Sequence, residues 1–115
     1  MTTELTTHAK EKSTYIITAS FTDEDDAAVA PKTLTWTLTD DQGDVINGRE
    51  DVEVSSPSSS EDIVLSGDDL ALQSGETSRG VRILTVEGTY DSDAGSDLPL
   101  NDEIRFIVDG LVAVS

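Results

Sequence analysis

The sequence predicts an all-β fold, an antiparallel sandwich of about seven short strands. Three observations carry that expectation. Apolar residues recur at every second position in several separate runs, as in "TLTWTLT" (33 to 39), where Leu34, Trp36 and Leu38 alternate with threonines. Clusters of Asp, Gly, Ser and Pro separate these runs every 8 to 15 residues. Hydrophobic residues make up 36% of the chain and aromatics only 4%, so the core must be thin and built mainly from Val, Ile and Leu. Two layers of sheet suit that material, because a strand needs an apolar residue only at alternate positions.

The elements follow in order. Residues 1 to 12, "MTTELTTHAKEK", carry one large apolar residue, Leu5, among threonines and charges. They are expected as an N-terminal arm outside the core, with a single domain over 13 to 115. "STYIITASFT" (13 to 22) places Tyr15, Ile17, Ala19 and Phe21 on one face, with Ile16 breaking the polarity of the other. "DEDDAAVAPK" is a loop whose Pro31 biases Ala30 to an extended conformation. The strand 33 to 39 follows, and "DDQGD" is a hairpin turn in which Gly43 supplies positive φ.

Short strands are then expected from Val45 to about Gly48, around Val52 and Val54, and at "DIVLS" with Ile63 and Leu65 on one face. Asp68 can cap a single helical turn through Leu72, and Gly75 can close it. "VRILTVEGTYDS" (81 to 92) puts Arg82, Leu84, Val86, Gly88 and Tyr90 on one face, and Gly88 implies a bulge or a close approach of backbone. "DAGSDLPLND" reads as a turn. The last strand runs over 103 to 114, with Ile104, Phe106 and Val108 inward and a register shift at Gly110.

A chain of 115 residues makes one domain of ordinary size. It buries roughly 65% of its extended surface and needs no staples. The absence of cysteine excludes disulfides and thiolate metal sites. No apolar run approaches the roughly 20 residues that span a bilayer, and the N-terminus has no signal-peptide core, so synthesis and retention in a cytoplasm are expected. The formal charge of −17 argues against nucleic acid and anionic membranes as partners, because both reward clustered Lys and Arg. It favours a heavily solvated surface.

The catalytic inventory is poor. The lone His8 falls in the arm, and no phosphate-binding loop, paired-histidine spacing or nucleophile elbow is present. No cofactor is expected. Carboxylate clusters are the one serious candidate: "DSDAGSD" sets Asp91, Asp93 and Asp97 around Gly95, and "DEDD" packs Asp23 to Asp26 together. Alternating acids around a glycine are how calcium loops present oxygens. The EF-hand pattern is not completed, however, since residue 101 is Asn, and Asp-rich turns have a simpler explanation in local backbone hydrogen bonds.

"TLTWTLTDDQGDVING", "DIVLSGDDLAL" and "LTVEGTYDSDAGSDLPLNDEIRFIVDGL" together resemble small immunoglobulin-like virion proteins of tailed bacteriophages, over roughly residues 13 to 112. The resemblance implies an immunoglobulin-like sandwich without enzymatic activity. Such a protein decorates or cements the capsid on the major capsid protein, or sits at the neck or tail, in many copies within the virion. It marks no binding residues. The candidates for partner contact come from the two ends, Leu5 in the arm and Leu111, Val112 and Val114 in the apolar "LVAVS", which could add to a neighbouring edge strand. The competing reading is that Leu111 to Val114 complete the sandwich core. A carbohydrate- or receptor-binding sandwich is the alternative from another class. It is disfavoured because Tyr15, Phe21, Trp36, Tyr90 and Phe106 all fall on core faces. A calcium-stabilised adhesin repeat comes third.

Overall fold

The structure, a computed structural model, describes residues 2–73, 75–76 and 78–111, with backbone alone at 2–4. Eight strands and one 3-10 turn follow in chain order: β1 (Thr2–Glu4), β2 (Ala9–Lys10), β3 (Thr14–Ser20), β4 (Thr33–Asp40), β5 (Val52–Glu53), β6 (Ser60–Ser66), the 3-10 turn (Gly67–Leu70), β7 (Arg79–Ser92) and β8 (Gly95–Asp109). The large sheet runs β1-β8-β7-β4-β5, with β2 also on β8, and β3 pairs with β6 in a second sheet of two strands. Among the described residues no helix is long and apolar enough to cross a membrane.

The alternating runs form the strands they predict, and one shared core lies between the two sheets. β3 contributes Ile17 and Ala19, β6 Ile63 and Leu65, β4 Leu34, Trp36 and Leu38, β7 Leu84 and Val86, and β8 Ile104, Phe106 and Val108. The period of two does this, and the β-branched residues between the inward ones, half-buried or exposed on the outer face, favour the same extended backbone. Trp36 is 7% exposed, so it packs in the core and offers no sugar platform.

The sheet is mixed rather than antiparallel, and residues 2–12 of the expected arm are joined to it. β1 runs parallel to β8 with Thr3 opposite Ile104, and β2 runs parallel with Ala9 opposite Val108. The Leu5 amide donates to Arg105 O at 2.9 Å, the Glu11 amide donates to Asp109 O at 2.9 Å, and Ala9 is fully buried. Backbone pairing with the N-terminal segment satisfies the donors and acceptors along this side of β8 whatever side chains that segment carries.

Two further elements differ from expectation. Val45 to Gly48 forms no strand; Val45 makes one isolated bridge to Thr39, and Ile46 turns into the core. The expected turn over 93 to 102 is instead the start of β8, which pairs with β7 from Gly95 onward around a tight turn at Asp93 and Ala94. This part of the hairpin runs beyond β4, whose pairing stops at Thr89, and most of its residues are exposed. A ribbon that is largely in water needs little apolar alternation, and of its larger side chains only Tyr90, Leu98 and Leu100 are withdrawn from it.

Gly88 is the close approach the sequence implies, without a bulge. It sits in regular register opposite Leu34, and a Cβ there would lie 2.3 Å from the Thr33 carbonyl oxygen. The obstacle is backbone, so the strand itself must shift. Gly88→Ala is expected to cost about 2 kcal/mol, the usual scale of overpacking. A urea titration checks this as a lower midpoint with unchanged slope; an unchanged midpoint would refute it.

Candidate functional site

Of the acids around Gly95, Asp91 and Asp97 come together and Asp93 stands apart. Asp91 Oδ1 accepts the Asp97 amide at 2.9 Å, and Lys32 Nζ lies 2.6 Å from Asp97 Oδ1 and 3.4 Å from Asp91 Oδ1. The backbone bond from Asp97, with Lys32 beside it, holds the Asp91 carboxyl below its ordinary range. The hydrogen bond to Asp97 likewise raises Lys32. An ammonium thus already bridges Asp91 and Asp97. Asp93 sits in the exposed turn between β7 and β8, outside this pairing.

Among the described residues the group of three acids whose oxygens gather within 4.8 Å is Asp23, Glu24 and Asp25. Two of them already have partners in the fold. Asp23 Oδ1 accepts the amides of Asp25 (2.9 Å) and Ala27 (3.0 Å), the local side chain-to-backbone bonds that make Asp common in turns. Glu24 Oε1 accepts from two side chains of β7, the Tyr90 hydroxyl (3.1 Å) and Ser92 Oγ (2.9 Å). His8 is not isolated either: its Nδ1 lies 2.9 Å from Asp109 Oδ2 and ties the segment between β1 and β2 to the end of β8.

Two ionic clusters inside the fold brace loops. Asp69, fully buried in the 3-10 turn, accepts from Arg49 Nε (2.8 Å), Asn47 Nδ2 (2.9 Å) and the Ser66 amide (3.1 Å). Burial opposes its ionisation, but these donors together outweigh burial and hold its pKa below the ordinary range. Arg49 also lies over the Trp36 ring at 5.9 Å. The second cluster is Arg82 with Glu76.

The feature that offers itself to a partner is a groove of about 570 Å³ along one edge of β3. Its lining includes every residue from Tyr15 to Phe21 and none of β6, so it runs along the side of β3 opposite its partner strand. Leu5, Thr6 and Thr7 form the other bank, and Val86, Ile104 and Asp102 belong to the large sheet. The parity of the ladder follows from the Phe21 amide bonding Ser59 O and the Gly67 amide bonding Ser13 O. Odd-numbered residues of β3 therefore bond to β6, and the amides and carbonyls of Thr14, Ile16, Thr18 and Ser20 point away from it. Among the described residues these groups have no backbone partner.

Of the partner-contact candidates, Leu5 lines this groove while packing against the chain's own core. Leu111 is 39% exposed, and its amide donates to Glu11 Oε1 at 3.0 Å. Val112 and Val114 lie outside the described residues. The groove was not among the sequence candidates. Its one local signal is "TYIITAS", an uncharged strand whose Ile16 falls on the outer face.

Comparison with family models, curated proteins and solved structures finds no match to this chain.

Proposed function

We propose that the chain is a non-enzymatic structural protein of a tailed-phage virion, a capsid decoration or cement protein that binds the lattice of the major capsid protein in many copies. The observation that carries the reading is a braced two-sheet body whose uncharged open feature is a strand edge, which is equipment for docking onto another protein. Its imidazole, its buried acid and its buried guanidinium are all engaged in holding the fold together.

The finer fold reading agrees with this. β3 and β6 correspond to strands B and E of an immunoglobulin-like sandwich; β4, β7 and β8 correspond to C, F and G, and β5 takes the place beside C. Trp36 on β4 is then the tryptophan of strand C, here without the cysteine pair of antibody domains. Among the described residues no strand takes the place beside B that a first strand would take, because β1 and β2 lie on β8 instead.

Quantitative mass spectrometry of purified particles tests the proposal. About one copy per major capsid protein subunit, or a simple fraction of that, is expected for a protein that follows the lattice symmetry. A handful of copies per particle would move the protein to the neck or tail, and absence from particles would overturn the structural reading.

A further inference from the structure

We infer that the groove beside β3 is a docking site for an extended segment of another protein. That segment adds as a strand to the open edge of β3, alternates small apolar with polar residues, and carries Lys or Arg at the end that lies beside Phe21 and Asp102. The inference goes beyond the virion reading and stands without it.

The argument begins with what native sheets do to their edges. An exposed edge is a template for another strand, and it is normally blunted by charge, by proline, by extreme shortness or by a covering segment. The other edges here are treated that way. β5 is two residues long and includes Glu53. β6 carries Glu61 and Asp62, and its outward groups are partly met: Ser58 Oγ donates to Ser60 O at 2.6 Å, and the Ser66 amide donates to Asp69 Oδ2 at 3.1 Å. Beyond its start, where the Tyr15 hydroxyl donates to Thr7 O at 2.6 Å, β3 has none of these devices. It is seven residues long, and "TYIITAS" contains no charge and no proline. Ile16 on its outer face is 57% exposed beside its cross-strand partner Val64, 53% exposed.

The shape of the groove states the side-chain pattern. A strand laid on this edge continues the small sheet, so its alternate residues point down at Ile17, Ala19, Phe21, Val86 and Ile104, which are all apolar and buried. The residues between them stand beside Ile16 and face water. Main-chain bonds to Ile16, Thr18 and Ser20 would supply affinity, and the floor would supply selection for small apolar side chains.

Charge decides the rest. Asp102 is the only charged residue in the lining, and no base faces it from the groove. Two residues beyond Phe21 the chain enters Asp23, Glu24, Asp25 and Asp26. On a chain of net charge −17 an acidic segment would be repelled, while a cation at the Phe21 end meets opposite charge. The same repulsion disfavours a second copy of this chain.

The test uses the full chain and a short synthetic peptide that alternates valine and threonine and ends in lysines. Backbone amide exchange is followed by NMR, and affinity by titration. Without peptide, the amides of Ile16, Thr18 and Ser20 should exchange fast while those of Ile17 and Ala19 are protected. Adding peptide should give saturable binding and slow exchange at Ile16, Thr18 and Ser20. Ile16→Pro removes an outward donor without touching the β6 ladder, and it should abolish binding. Asp102→Lys, at an exposed position, should weaken binding several-fold with the fold unchanged, and so should replacing the lysines by glutamates. The inference is overturned by absence of saturable binding, by protection appearing on β5 or β6 instead, or by indifference to Asp102→Lys. Protection that grows with protein concentration in the absence of peptide would also overturn it, by placing a second copy on the edge. If Ile16→Pro does not fold, the exchange map and Asp102→Lys still decide.

Discussion

Phe106→Ala is expected to lower stability by about 4 kcal/mol, the usual cost of emptying a fully buried aromatic site. Phe106 is inaccessible to solvent, near the middle of the described core, and its ring centroid lies 5.0 Å from that of Tyr15 at an interplanar angle of 31°. The contact joins the two sheets, since Phe106 belongs to β8 and Tyr15 to β3. A two-stranded sheet is marginal alone, and packing against a second layer is what stabilises it. The loss therefore falls on the sheet with the least support. A domain of this size has roughly 5–15 kcal/mol in total, so the variant should retain a fold with a much lower urea midpoint. Phe106→Leu keeps most of the volume and should cost under about 1.5 kcal/mol. A loss below about 1 kcal/mol for the alanine variant would mean that the two sheets do not depend on this ring.

That the two sheets share a core was legible in the sequence because side-chain direction in a strand has a period of two. The rule is strong enough to place Arg82 on the inward face with Leu84, Val86 and Tyr90, and Arg82 is indeed buried there. The turn at 40–44 was legible for a different reason. Asp40 Oδ1 accepts the amides of Gln42 and Asp44, and Gly43 has φ of +90°, so its chemistry is local. A single turn here was legible too, but it is a 3-10 turn over Gly67–Leu70, capped at Ser66 rather than Asp68 and ended at Ala71 rather than Gly75, and it stops short of Leu72.

What escaped reading depends on partners distant in sequence. β1 and β2 are held by backbone bonds to β8, and Thr2, Thr3 and Glu4 show no alternation that announces them. The outer half of the β7–β8 hairpin is largely exposed, so "GSDLPLND" has the composition of a turn while being a strand. The groove beside β3 exists because the N-terminal segment chose one sheet edge over another. Composition and spacing do not encode that choice. The acids around Gly95 show the same limit: spacing alone suggested that Asp91 and Asp97 lie close, but it gave no sign of Lys32, 65 residues before Asp97, which lies between them.

Removing Glu76 should cost more than removing Arg82, although the two form one ion pair. Arg82 Nη2 lies 2.6 Å from Glu76 Oε1 and Nη1 lies 2.9 Å from Oε2, a bidentate geometry. The guanidinium also donates to Val81 O and Ala71 O, while its Nε has no partner among the described residues. Arg82 is wholly buried, whereas the Glu76 side chain is 23% exposed. Glu76→Ala therefore strands a cation in the core and is expected to cost about 3–5 kcal/mol. Arg82→Met leaves behind only a carboxylate that can turn to water, still bonded by the Gln73 amide, so its cost should be smaller. The double variant Glu76→Leu with Arg82→Met should recover much of the Glu76→Ala loss, because an apolar pair of similar volume needs no desolvation of charge. Additive losses in the double variant would refute a coupled pair.

The same pair sets part of the response to acid. Its hydrogen bonds from Arg82 hold Glu76 below its ordinary value of 4.5, so the folded chain binds this proton less readily than the unfolded chain. Stability from the pair is therefore complete above about pH 4.5, the unfolded value, and is lost as pH falls through the lower folded value. Asp69, shifted in the same direction, adds to the same limb. Urea titrations between neutral and acidic pH should show wild type losing stability below that point. Glu76→Gln should start lower and fall less steeply, because one of the two buried-end carboxylates no longer titrates. Parallel curves for the two proteins would mean that the guanidinium and the carboxylate are not coupled in solution.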